Sequence, residues 1–138
     1  MEGSLAINGD VNTLKVAMLA HEQVELPTRH YFHGGLYCRE VWQPAGALVV
    51  GKVHKREHLY MLVFGTLLIG GENRKTVTGP SVIKSDPGTQ RAIYAMTDAL
   101  YMTFHRTDAT NVADAEAELV EYDEASPFGV GNTLQEVL

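Results

Sequence analysis

Turn-forming residues cut the middle of this chain into pieces too short for ordinary helices. Gln43-Pro44-Ala45-Gly46, Gly70-Gly71-Glu72-Asn73, Gly79-Pro80, Asp86-Pro87-Gly88-Thr89 and Met96-Thr97-Asp98 interrupt it at near-regular intervals. Proline fixes φ and removes a backbone donor, while glycine, Asn and Asp accept the reversals that end a helix. The runs between these turns, from Leu36 to Trp42, Ala47 to His54, Thr66 to Ile69, Lys75 to Thr78, Ser81 to Lys84, Gln90 to Ala95 and Leu100 to His105, are rich in β-branched and aromatic residues. Short strands alternating with such turns predict an antiparallel sandwich or small barrel.

Length and charge narrow the classes of function. A chain of 138 residues supports one domain around a single core. Its 45% apolar and 20% charged content is that of a globular protein. A net charge of −6 argues against nucleic-acid binding, which needs a clustered positive surface, although Lys52, Lys55 and Arg56 do gather locally. No helix-turn-helix pattern is present. No apolar run approaches the roughly 18 residues of a membrane span, and the start is unlike a signal peptide, so a cytoplasmic protein with no membrane contact is expected. Cys38 is the only cysteine. It allows no intrachain disulfide, suits a reducing compartment, and reads as a small half-buried strand residue.

The chemistry concentrates between Gly46 and Gly65. Two β-rich apolar runs flank a polar turn of His54, Lys55, Arg56, Glu57 and His58, which predicts a hairpin with imidazoles at its tip. Neutral imidazole is the commonest protein ligand for mid-row divalent metals, so the pair is half of a metal site. Counting by two places Lys52, Val50 and Leu48 with His54, and Tyr60 and Leu62 with His58. Glu57 falls on the other side of its strand or in the turn, where it would hold Lys55, Arg56 or a histidine N–H. His30 and His33 suit a loop before the Gly34-Gly35 turn and would lie on opposite faces of a strand; His33 is retained as a pocket-lining candidate.

The same stretch resembles the first motif of the cupins. In that family a glycine is followed after five residues by His-x-His, after three or four more by Glu, and after six by Gly. Gly46, Lys52, His54, His58 and Gly65 take those places without a gap, with Lys52 at the first histidine and His58 at the glutamate. The second motif, Gly, five residues, Pro-x-Gly, two residues, His, three residues, Asn, aligns on Gly88. It puts Pro80, Asp86, Arg91 and Ala95 at the other positions, so Arg91 stands where the family has its histidine. The resemblance covers residues 46 to 95 and implies a cupin-like antiparallel β-barrel, the double-stranded β-helix or jelly roll. The His-Lys-x-Glu-His and Pro-Gly-Thr-x-Arg patterns are also similar to small cupin-like proteins of tailed bacteriophages, which would place the chain in a host cytoplasm or a virion.

His105 supplies what the second motif lacks. Pairing Gln90 to Ala95 with Leu100 to His105 around the Met96 to Ala99 turn would bring Arg91 opposite Phe104 or His105, near His54 and His58. Three imidazoles on one cavity suit Fe(II), Zn(II), Ni(II) or Mn(II) with open positions. Lys52 and Arg91, turned inward as the resemblance implies, would receive a small anionic ligand, with Tyr60, Tyr94 and Tyr101 as further polar tips. A surface pairing of Arg91 with Asp86 or Asp98, and tyrosines that serve only packing, are the plainer alternatives.

The flanks differ from the middle. Residues 1–27 read as an N-terminal arm in which Asn12 to Glu22 permits a short helix, with Leu14, Ala17, Met18 and His21 on one face, or a strand. Residues 28–107 form the barrel. Residues 108–138 carry an Ala/Glu-rich helix capped by Thr110 or Asn111, then an extended end after Pro127. Two functions follow. One is a metal-dependent enzyme with His54, His58 and His105 on the metal, Arg91 or Lys52 orienting an anion, and Glu57 or Arg91 as candidate catalytic groups. The other is a non-catalytic ligand-binding or assembly module, self-associating through a sheet edge and the C-terminal tail.

Overall fold

The computed structural model describes residues 26–70 and 74–121. The helix expected after Asn12, most of the turn at 71–73 and the C-terminal end lie outside them. The described elements are β1 (Thr28–His33), β2 (Leu36–Gln43), β3 (Leu48–Val50), β4 (His58–Phe64), β5 (Thr66–Gly70), β6 (Lys75–Thr78), β7 (Ser81–Ser85), β8 (Ala92–Ala95), β9 (Ala99–Arg106) and a helix, α1 (Val112–Leu119). The strands form two antiparallel sheets, ordered β1-β2-β9-β4-β7 and β3-β8-β5-β6. This is the expected all-β jelly roll.

Period-two alternation explains the sandwich. Successive side chains of a strand point to opposite faces, and only one face of each sheet meets the other sheet. In β4, His58, Tyr60 and Leu62 are buried, and in β9 Ala99, Tyr101, Thr103 and His105 are. The core between the sheets joins Val41, Leu62 and Tyr101 of the larger sheet to Leu67, Ile69 and Ile93 of the smaller. The register aligns these residues in rows. Val41, Tyr101 and Leu62 form one, and Arg39, Thr103 and Tyr60 form the next. Tyr37 pairs with His105 one step further on.

Three local expectations are corrected. Residues 47–64 are not a hairpin, because β3 belongs to the smaller sheet and β4 to the larger. The segment from Gly51 to His54 bonds instead to the chain before β8, Gly51 N–H donating to Arg91 O at 3.0 Å and His54 N–H to Thr89 O at 3.2 Å. Nor do Gln90 to Ala95 and Leu100 to His105 pair with each other. β8 lies between β3 and β5, while β9 lies between β2 and β4. In both cases sequence neighbours go to opposite sheets, so that their apolar faces meet across the core rather than side by side. Finally, Thr28–His33 is a strand paired with β2 around the Gly34-Gly35 turn.

Gly65 is where the chain passes from one sheet to the other. Its φ is +101°, and a Cβ there would meet Asp98 O at 2.5 Å. Only glycine fits this crossing.

Candidate metal centre

Three separate elements bring three imidazoles together. His58 opens β4, His105 lies near the end of β9, and His54 sits on the link between the sheets, held there by an isolated bridge to Val120 just after α1. Ring centroids are 4.3 Å apart for His54 and His58, 4.6 Å for His58 and His105, and 5.4 Å for His54 and His105. One ring nitrogen from each lies within 4.8 Å of the others.

The surroundings keep these rings neutral. Burial first, then His58 and Arg39, holds His54 down at about 3; burial, then its two histidine neighbours and Arg39, does the same for His105. His58 is lowered too, chiefly by burial. Its Nδ1 lies 3.4 Å from Arg56 O, an acceptor, so Nδ1 carries the proton and Nε2 keeps its lone pair. His105 Nε2 lies 2.9 Å from Thr103 Oγ1. Neutral, oriented, clustered imidazoles are the donor set a divalent transition metal takes. The residues present therefore fit such an ion.

The histidines open onto a cavity of about 90 Å³ between the sheets, walled by residues such as Val49, Ile93 and Leu119. Lys52 and Arg91 line it, as the resemblance implied, and so does Tyr60. Lys52 Nζ pairs with Glu116 Oε2 of α1 at 3.3 Å. Arg91 Nη1 donates to Ser85 Oγ at 2.7 Å, and its guanidinium lies 5.8 Å from the Tyr60 ring centroid. The alternative pairing of Arg91 with Asp86 or Asp98 is not found among the described residues. Burial lowers Arg91 and raises Tyr60, whose hydroxyl is buried without a hydrogen-bond partner. Tyr101, also raised mainly by burial, donates to Gln43 Oε1 at 3.1 Å.

Other candidates fall elsewhere. Glu57 is exposed and does not line the cavity, and His33 is exposed on the outer side of β1. Tyr94 is absent from the lining as well. Conversely, Arg39 lines the cavity, with an Nε that is buried and unpartnered. Its signal lay in the alternation of β2, where Arg39 shares the inward side with Tyr37 and Val41. The other addition is α1. Asn111 caps it by accepting from Asp114 N–H at 2.9 Å, and Ala115 and Leu119 are buried against the barrel. Its C-terminal end meets the histidine link, Lys55 N–H donating to Leu119 O at 2.8 Å and Glu121 N–H to Val53 O at 2.9 Å. The helix thus forms one wall of the cavity and fixes His54.

No protein-family model matches the sequence, and comparison with curated proteins finds no match. Solved structures do match. An acetylacetone dioxygenase from Acinetobacter johnsonii aligns with a TM-score of 0.51 at 16% identity, over 59% of each chain. A cupin-superfamily protein from Desulfitobacterium hafniense aligns with a TM-score of 0.53 at 10% identity, over 67% of this chain and 87% of its own. KdgF from a Halomonas species gives 0.54 at 12% identity, over 65% and 91%. At these identities the likeness concerns the path of the backbone.

Proposed function

With the cupin fold as premise, we propose that this chain binds one divalent transition metal through His54, His58 and His105 and receives a small anionic ligand beside it. The observation that carries this reading is the convergence of three neutral imidazoles, His58 and His105 buried and His54 half-buried, from three elements on one cavity. The charge around them supports the second half. Among the described residues, Arg39, Lys52 and Arg91 line the cavity against a single carboxylate, Glu116, so a cation added at neutral histidines leaves a positive site that an anion balances. A bound metal supplies Lewis acidity, polarising an oxygen of whatever ligand occupies its open positions. The chain's own residues exclude water through Leu119 and Ile93, orient the anion through the cationic groups, and offer the Tyr60 hydroxyl as a proton donor or hydrogen-bond donor. This arrangement supports the metal-dependent-enzyme form of the reading, in which Arg91 is the candidate that touches substrate and Glu57 is too exposed to do so.

Elemental analysis of the purified chain tests the reading. About one equivalent of iron, zinc, nickel or manganese is expected, lost in the His54→Ala, His58→Ala double variant. Parent protein that takes up none of the four after loading would overturn it.

An assembly role is the second reading, and one observation favours it. The outer face of the larger sheet exposes Leu59, Val82, Trp42 and Phe64, at 46%, 61%, 40% and 40%. An apolar face of this kind suits a second copy or another chain. Light scattering on the parent and on a Leu59→Lys, Val82→Lys variant tests it, the expected result being an oligomer in the parent and a monomer in the variant.

A further inference from the structure

The cavity holds an unmet demand for an acceptor. Among the described residues, buried side-chain nitrogen and oxygen atoms without a hydrogen-bond partner occur at two places, Arg39 Nε and Tyr60 Oη, and both residues line the same cavity. The coincidence is not a matter of loose packing, since Tyr60 is only 4% exposed and stacks on Tyr101 at 5.0 Å. Buried donors are nearly always satisfied, so a pair of unsatisfied ones on one wall marks where a ligand's acceptors belong.

The register places the two donors. Thr103 of β9 pairs with Arg39 of β2 on one side and with Tyr60 of β4 on the other. Arg39 and Tyr60 therefore flank one inward position of the sheet. The histidine row, with His105 and His58, is the next inward step along the same strands, about 6.8 Å away at two residues of strand rise. The other cations near the cavity are engaged: Arg91 bonds Ser85, and Lys52 meets Glu116. Arg39 makes no ion pair among the described residues, and its Nε has no hydrogen-bond partner.

We infer that Arg39 and Tyr60 form an acid-recognition pair, and that the ligand is a small monocarboxylate with a short apolar body. One guanidinium and one phenol hydroxyl match the two oxygens of a carboxylate, which needs fewer donors than a phosphate. At roughly 10–15 Å³ per water-sized group, a cavity of about 90 Å³ admits about six to nine non-hydrogen atoms. Val49, Ile93 and Leu119 offer that body an apolar wall. The carboxylate sits one step from the histidines, which leaves the other end of the ligand toward the metal. This inference rests on the proposed function for the metal end alone; the acid end stands on Arg39 and Tyr60.

The test uses hexanoate and its neutral isostere hexanamide, each of eight non-hydrogen atoms, titrated calorimetrically into the full chain, with cobalt(II) binding followed separately by absorption. Hexanoate is expected to bind at least about tenfold more tightly than hexanamide, the scale of a charge-assisted hydrogen bond. Tyr60→Phe, which removes only the hydroxyl, and Arg39→Met are each expected to weaken hexanoate by about tenfold and hexanamide, which offers one uncharged acceptor oxygen, by less. Should Arg39→Met fail to fold, the Tyr60→Phe result decides. Equal binding of the two probes, no binding of either, or hexanoate binding unchanged in Tyr60→Phe overturns the inference. Cobalt binding is read independently: its absence beside Arg39- and Tyr60-dependent hexanoate binding removes the metal reading and keeps this one, and the reverse pattern does the opposite.

Discussion

The two ends of the sandwich interior are built by the same strands and obey opposite rules. Inward positions of β4 run His58, Tyr60, Leu62, and those of β9 run His105, Thr103, Tyr101, Ala99. One end therefore closes on Leu62 and Ala99, both fully buried, with Leu67 and Ala95 facing them from the other sheet. The other end buries imidazoles, a guanidinium and hydroxyls around open space. Apolar burial there is replaced by polar groups whose desolvation costs free energy unless a partner arrives. The contrast teaches a division of labour along each strand: residues a few positions apart supply stability and a polar cavity.

Breaking the apolar end gives the largest expected effect. Leu62→Ala removes a side chain with no exposure and should cost about 2–5 kcal/mol in urea unfolding, the range for large-to-small core changes. Metal affinity per folded molecule should stay within about threefold, because Leu62 lies beyond the Tyr60 row; a large loss would mean that the two ends are coupled. Next comes His58→Ala. It should weaken metal binding by more than about 100-fold, above what losing an outer partner of a ligand costs, with little change in unfolding. A metal titration indistinguishable from the parent would remove His58 from the site.

pH sharpens the same comparison in the metal-free protein. His54 and His105 sit at about 3 when folded, below the roughly 6.5 of an unfolded chain. The unfolded state thus binds protons first as pH falls. Stability is full above about pH 6.5 and is lost on the way down toward 3, by up to about 1.4 kcal/mol per pH unit for each group. Urea midpoints at pH 7.5, 6 and 5 should fall in that order, and less steeply in His54→Ala. Flat midpoints in the parent would mean that the rings are hydrated and charge freely.

The sequence made the apolar end legible and the polar end only in outline. Turn residues such as Pro87-Gly88 and Gly46 marked strand ends correctly, because their backbone requirements are local. Strand partners were not legible. The hairpin expected around His54 to His58 and the pairing of β8 with β9 both assumed that neighbours in sequence pair in space, whereas the links at 51–57 and 96–98 carry the chain across to the opposite sheet. The histidines still meet, since parity alone puts His58 and His105 inward whichever strand lies beside them. Arg39 was overlooked because a charged residue in a strand reads as surface, and its inward parity shows only beside Tyr37 and Val41. Glu116 was out of reach for another reason: nothing in an Ala/Glu-rich helix tells which face will close a cavity formed by strands far earlier in the chain.

That helix gives the smallest effect and the finest division between the two ends. α1 touches the barrel through Ala115 and Leu119, and its C-terminal end joins the histidine link through backbone bonds from Lys55 N–H to Leu119 O and from Glu121 N–H to Val53 O. Its first turn depends on Asn111, whose side chain accepts from Asp114 N–H. Removing that acceptor in Asn111→Ala should cost about 1 kcal/mol. The apolar end makes no use of α1, so the loss should appear as local opening: amide exchange at Lys55 and Glu121 about fivefold faster, with the global unfolding midpoint almost unmoved. Metal dissociation should quicken by a similar factor, because His54 is held by the same segment. A fall in the global midpoint with no change in exchange at Lys55 would instead make α1 part of the core's cooperative unit, and the two ends would then melt as one.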